Sequence, residues 1–288
     1  MTQSSSPTAP VWAGLTLDRP RVMGVLNVTP DSFSDGGRVD PEAAIAAGLA
    51  MHGDGADIVD VGGESTRPGA APTAPDAERA RILPVIRALA AAGVLLSVDT
   101  RHASTMAAAL DAGATIVNDI TALAHDPDAA ALVAARRCPV ILMHMRGTPA
   151  SMMALAHYDD VAGEVAAELA ARVEASGQAG IRREAIAIDP GIGFAKHAPH
   201  SLALLRGLSR LATLGLPIVV GVSRKSFIGA ASGEAEPARR FPGSIAAGLF
   251  ALSQGAAVLR VHDVKETVQA IRVWHAIVGA MGGAMGGG

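Results

Sequence analysis

Eight short runs rich in β-branched residues recur along this chain, separated by alanine-rich stretches with helical spacing. No other feature limits the fold as tightly. The runs cover 22–28, 57–61, 94–98, 115–117, 140–143, 185–188, 217–222 and 257–261. Helical patterns cover 41–54, 75–92, 103–111, 127–136, 159–178, 200–213 and 242–254, with a last one over 265–278. Strands that alternate with helices pair in parallel, because a parallel neighbour is reached only through a long crossover. Eight such units predict a closed (β/α)8 TIM barrel, an α/β fold in a single domain, ahead of an open doubly wound sheet. Gly93, Gly113, Gly215 and Gly255 stand where helices are expected to stop, in the left-handed C-terminal position. With no composition shift inside 20–280, the barrel is expected over 21–279. A flexible N-terminal tail (1–20) and a flexible Gly/Met tail (280–288) are expected on either side.

Composition narrows the function. Half of the residues are hydrophobic and 18% are charged, which excludes a disordered chain. The net charge of −3 has no basic field behind it, so no nucleic-acid partner is expected. The one cysteine, Cys138, rules out an internal disulfide framework and cysteine-cluster metal sites; beside an apolar run it reads as a buried small hydrophobe. The uncharged span 241–259 is nearly long enough for a bilayer. It contains Pro242, three glycines and Gln254, however, and divides into a helix and a strand, so no membrane partner is expected. The first ten residues lack the basic and apolar segments of a signal peptide, and the expected location is the cytoplasm.

In a barrel of this kind, chemistry sits where the strands end. Those ends carry Asn27, Gly62 with Glu64, Asp99, Asn118–Asp119, Met143–His144, Asp189, Ser223–Arg224–Lys225 and Arg260–His262. One polar residue past a strand is an ordinary cap, but eight ends converge on one volume. Arg260 and His262, two apart on one face, call for an anion or other partners, and a phosphate is the favoured reading. Asp99, Asn118 and Asp189 suit a flat heterocycle with several N–H groups. Two long loops, 29–37 and 64–75, read as lids. His52, His125, His157 and His200 show no metal spacing and are expected at the surface, and GIGFAK at 191–196 is too weak a match for a nucleotide loop. The residues alone thus point to an enzyme acting on a phosphorylated heterocycle.

Longer blocks carry a resemblance. The run MGVLNVTPDSFSDGG at 23–37 and the run GADIVDVGGESTRPG at 55–69 resemble the two signatures of the dihydropteroate synthase family. SVDT at 97–100, Asn118-Asp119, Met143-His144-Met145, DPGIGFAK at 189–196, SRKSFIG at 223–229 and RVHDV at 260–264 follow in the family's order. The segment 146–153 matches less closely, and the first 20 residues lie outside the pattern.

The resemblance implies condensation of (7,8-dihydropterin-6-yl)methyl diphosphate with p-aminobenzoate, giving 7,8-dihydropteroate and diphosphate in folate synthesis. It assigns the pterin to Asp99, Asn118, Met143, Asp189 and Lys225, and the diphosphate to Asn27, Arg67, Arg260 and His262. Asn27 would also bind Mg2+. Phe33, Thr66, Pro68, Phe194, Arg224 and Ser226 would line the p-aminobenzoate site. Asp35, on the first loop, joins Asp99, Asp189 and Lys225 as the catalytic set by closing the site. A homodimer is implied, with 245–252 and the last helix as candidate contacts. The rival readings are a pterin-binding methyltransferase module, which lacks the NVTPDSFSDGG loop, and a non-catalytic pterin-binding paralogue.

Overall fold

The computed structural model describes residues 9–29, 34–35, 38–67 and 69–284, of which 34, 35, 38, 39 and 279–284 by backbone alone. The barrel strands are β1 (Arg21–Asn27), β2 (Ile58–Gly62), β3 (Leu96–Asp99), β4 (Ile116–Asp119), β5 (Val140–Met143), β6 (Ile186–Asp189), β7 (Val219–Gly221) and β8 (Val258–Val261). They lie in the order β6-β5-β4-β3-β2-β1-β8-β7, all neighbours parallel, and an Ile188–Ile218 bridge joins β6 to β7. This is the (β/α)8 barrel read from the alternation.

The helices among the described residues are α1 (Pro41–Gly53), α2 (Pro75–Ala91), α3 (Ala103–Asp111), α4 (Ala129–Arg136), α5 (Val161–Gln178), α6 (Ala198–Arg206), α7 (Ser226–Ser232), α8 (Phe241–Ser253) and α9 (Val264–Ala284). Local chemistry starts several of them. The Asp40 carboxylate accepts from the Glu42 and Ala43 amides, with Pro41 at the first helical position. The four glycines expected to end helices all have φ between 63° and 113°. The pattern over 200–213 divides at Gly207 into α6 and a 3-10 segment, Leu208–Leu214; a glycine stands there because a Cβ would press on Ala162 of α5, and glycine is a poor helix former.

Period-two alternation sorts each strand into two faces. Outward residues such as Leu26, Val61, Val98, Leu142, Ile188 and Leu259 form the main core against the helices. Inward residues Met23, Ile58, Ile116, Ile141, Ala187, Val219 and Val258 fill the lower barrel, and Trp12 packs with them. Trp12 corrects the expected tail. Val11–Trp12 and Leu15–Thr16 pair as a hairpin, and the fully buried indole donates to the Ala185 carbonyl at 3.0 Å. A barrel floor of apolar side chains needs a cover, and this hairpin supplies it. At the other end α9 continues past 279, since an established helix adds one hydrogen bond per residue. Cys138 is buried, as expected. Among the described residues, no helix is long and apolar enough to cross a membrane.

Candidate active site

The inward faces turn polar at the upper ends of the strands. Register aligns Asn27 with Gly62, Gly62 with Asp99 and Asp99 with Asn118; farther round, Asp189 aligns with Met143 and Gly221 with Arg260. Each aligned residue keeps the parity of the apolar residues beneath it, so all of them face the barrel interior. Two small residues open room there. Asp99 lies beside Gly62, and the Lys225 ammonium and the Arg260 stem both reach Gly221.

Arg260 organises the charges. Its Nε donates to Asp60 Oδ2 at 2.7 Å and an Nη to Asp99 Oδ2 at 2.6 Å, while Asn118 Nδ2 donates to the same Asp60 oxygen at 3.0 Å. Two carboxylates of the barrel thus supply the partners and counter-charge that an inward-facing guanidinium calls for. Burial opposes the guanidinium charge, but Asp60 and Asp99 outweigh it and hold its pKa above the ordinary value. Burial raises Asp99 to about 7, with Arg260 pulling down and Asp60, Glu78 and Asp119 pushing up. Asp189 is likewise raised by burial and drawn back by Lys225; its Oδ1 accepts from the Gly191 amide at 2.7 Å. Burial lowers Lys225 to about 8 against the pull of Asp189. The ammonium donates to the Ile192 carbonyl and sits 4.6 Å from the centre of the Phe194 ring. Two carboxyl groups, an amide and an amine, with Asp99 raised to about 7 and Lys225 lowered to about 8, can match a heterocycle rich in N–H groups and ring nitrogens.

Above these groups is a more open rim. His262 Nδ1 lies 3.0 Å from Ser223 Oγ. Burial, Arg260, Arg224 and the more distant Arg67 lower its pKa to about 4. Arg224 has left-handed backbone (φ 60°) and turns its guanidinium to Asp263, at 3.1 Å through Nε. Ser226 is exposed at the start of α7, Thr66 and Phe194 are half-buried, and Met143 is buried beside Gly191. The second loop is tethered at both ends. Glu64 pairs with buried Arg101 at 2.9 Å and accepts from the Thr73 amide, and the Gly69 amide donates to the Pro149 carbonyl. In the first loop, Ser34–Asp35 pairs antiparallel with Arg38–Val39. Phe33, Pro68 and the Asp35 side chain lie outside the described residues.

Sequence reasoning missed Asp60 and Lys196. Asp60 is fully buried, and the signal was a lone acid in IVDVG, on the parity of Gly62. Lys196 Nζ lies 2.8 Å from His144 Nδ1, and His144 Nε2 lies 2.9 Å from Glu168. Burial, with Lys225 alongside, lowers Lys196 to about 7. Of the histidines expected at the surface, His200 is half-buried, its ring 5.3 Å from that of Tyr158.

Known proteins resemble this chain in sequence and in fold. Residues 23–262 match the family described as pterin binding enzyme. The dihydropteroate synthase of Neisseria meningitidis serogroup B is 46% identical over 268 residues, covering 91% of this chain and 94% of that protein. The structure of Xanthomonas albilineans dihydropteroate synthase with 4-aminobenzoic acid superposes with a TM-score of 0.87 at 49% identity, covering 92% of this chain and 96% of that one. The same enzyme in complex with 7,8-dihydropteroate gives a TM-score of 0.83 at 47% identity, over 91% and 95% of the two chains.

Proposed function

The chain belongs to the dihydropteroate synthase family of pterin-binding enzymes, and from that premise we propose how the mouth of its barrel carries out the reaction. The activity is the transfer that joins (7,8-dihydropterin-6-yl)methyl diphosphate to p-aminobenzoate, giving 7,8-dihydropteroate and diphosphate in folate synthesis. One observation carries the division of labour below it: Arg260 gathers Asp60 and Asp99, with Asn118 on the same Asp60 oxygen, and His262 stands beside it within the field of Arg67.

The pterin lies below the rim. Asp99 and Asp189 accept its N–H groups, Asn118 and Lys225 meet its remaining donors and acceptors, and Met143 packs on its face. Asp60 holds Arg260 and Asn118 in place from beneath. The diphosphate lies at the rim against Arg67, His262 and those N–H groups of Arg260 not spent on Asp60 and Asp99. As the carbon–oxygen bond to diphosphate breaks, charge grows on the departing oxygens, where the two guanidinium groups and the His262 imidazole favour it. Asp189 balances the positive charge on the pterin methylene. The aniline nitrogen of p-aminobenzoate then forms the new carbon–nitrogen bond and gives its proton to water. Thr66, Pro68, Phe194, Arg224 and Ser226 hold p-aminobenzoate, and the first loop, with Phe33 and Asp35, closes over the site to keep water from the cation.

Mg2+ fits as a partner of the diphosphate. Among the described residues no group of three His, Cys, Asp or Glu is placed to hold a metal, whereas the end of β1 offers the oxygen of Asn27. A hard ion that takes most of its six oxygens from phosphate and water needs little more from the protein. When bound it neutralises charge on the diphosphate. The working form we propose is a homodimer in the cytoplasm, a reducing compartment that suits a single unpaired cysteine.

The direct test is diphosphate release from the pterin diphosphate with Mg2+, with and without p-aminobenzoate. Release matched by equal dihydropteroate is expected, and binding without product would leave only a pterin-binding protein. Lys225→Ala is expected to weaken pterin binding by about tenfold or more, read by calorimetry. Unchanged affinity would remove Lys225 from the pocket.

A further inference from the structure

Lys196 is almost wholly buried (3% exposed) and has no part in the reaction as derived so far. It ends the loop that follows β6, and its ammonium meets three acceptors: His144 Nδ1 at 2.8 Å, the Phe194 carbonyl at 2.9 Å and the Gly191 carbonyl at 3.1 Å. An ammonium has three N–H donors and no acceptor, so the set is complete. Glu168, a carboxylate, accepts from His144 Nε2, which leaves the Nδ1 lone pair facing Lys196. Arg146 in turn holds Glu168 at 3.0 Å through Nε, so the chain of contacts reaches the loop after β5.

The loop needs such a hold. Gly191, Gly193 and Ala195 all have left-handed backbone (φ 65°, 82° and 50°), and Ala195 adopts it against its Cβ. The Gly191 backbone lies so close to His144 that a Cβ there would collide with the His144 carbonyl oxygen. From the other side Lys225 takes the Ile192 carbonyl. Two lysines thus grip three successive parts of a loop that begins at Asp189 and carries Phe194.

We propose that Lys196 is a positioning residue of this site: by gathering Gly191, Phe194 and His144 it fixes the loop that presents the Asp189 carboxylate to the pterin and the Phe194 ring to p-aminobenzoate. This rests on the roles given above to Asp189 and Phe194. Lys196 touches neither substrate. Without it, two carbonyls and an imidazole nitrogen lose their donor, and the strained loop is free to relax.

The experiment replaces Lys196 by methionine, which has nearly its shape and no charge. Pterin affinity is measured by calorimetry without turnover, and kcat and the KM for p-aminobenzoate by steady-state assay. The pterin Kd and the p-aminobenzoate KM are each expected to rise about tenfold, with thermal stability retained. In a Phe194→Ala background the same change is expected to leave the p-aminobenzoate KM almost unmoved, because both act through one ring. Wild-type Kd and KM in Lys196→Met, or effects that simply add in the double variant, overturn the proposal. If Lys196→Met does not fold, Lys196→Gln, which keeps an amide donor, is read in the same way. Failure of both to fold also overturns it, by making Lys196 a residue of the fold alone. Asp189→Asn separates the two layers of inference. Lost pterin affinity there, beside normal affinity in Lys196→Met, rejects Lys196 only; normal affinity in Asp189→Asn rejects both.

Discussion

Burial and the cations Arg260, Arg224 and Arg67 hold the His262 imidazole near pKa 4, so it meets the rim neutral at physiological pH. An anion bound beside it favours the protonated ring, and binding must then draw a proton from solution. Diphosphate affinity is therefore expected to rise as the pH falls from about 8 to about 5.5, more steeply than in a His262→Gln variant. Comparing the two proteins cancels the titration of diphosphate itself. Calorimetry in two buffers of different ionisation heat reads the uptake directly; equal uptake in both proteins would take His262 out of the diphosphate site. The residue scale also marks how far sequence reading reaches. Asp99, Asn118, Asp189 and Arg260 were legible because each is the last inward residue of its strand. Asp60 was not, because it sits two residues deeper between valines that read as core. Its role depends on Arg260, 200 residues away, and no local pattern carries that pairing.

Elements were legible where periodicity sets them and obscure where tertiary contact does. All eight barrel strands fall on the β-branched runs, since a strand buried on both faces is written as a continuous apolar run. The need for a glycine at 207, where the 200–213 pattern divides, was hidden, because it answers to Ala162 on another helix. The loop after β6 was hidden for a similar reason. GIGFAK resembles a weak phosphate loop until the fold brings His144 and Glu168 to its lysine. That loop carries a stability cost with a readable sign. Lys196 has a folded pKa of about 7 against an ordinary 10.5, so between those values the unfolded chain binds a proton that the native state does not. The penalty is full below about pH 7 and fades as the pH rises towards 10.5. Lys196→Met lacks it. The melting temperature of the variant, relative to wild type, is thus expected to be highest at or below pH 7 and to fall by pH 10. Lys225, shifted in the same direction, is present in both proteins and cancels. A difference that stays constant with pH would show that Lys196 keeps its ordinary pKa in the folded state.

At the scale of the whole molecule the barrel keeps its two ends for different purposes, with chemistry at the strand C-termini and stability at the floor. Trp12→Ala tests that separation. It removes a fully buried indole that plugs the floor, and a loss of about 3 to 5 kcal/mol is expected in urea unfolding. The KM for either substrate is expected to stay within twofold; a large KM change would couple floor to mouth. The flank of the barrel makes a third surface. Phe250 on α8 and Val273, Ile277 and Val278 on α9 are exposed to between 39% and 58%, and α8 packs beside α9. Val273 and Ile277 are one turn apart and share a helix face. A monomer gains nothing by leaving such a face in water, whereas a twofold contact can bury the same patch on both copies. Stable pairs bury about 800 Å2 on each partner, an area that two helices of 13 and 21 residues can supply. Sedimentation equilibrium is therefore expected to give twice the 29.1 kDa chain mass. Val273→Glu combined with Ile277→Glu is expected to give monomers, since four carboxylates brought together at a twofold contact repel and would lose their water. Monomers in the wild type, or intact dimers in the double variant, would move the contact away from this face. The residues of the mouth take no part in it, so the monomeric variant is also expected to keep its pterin affinity.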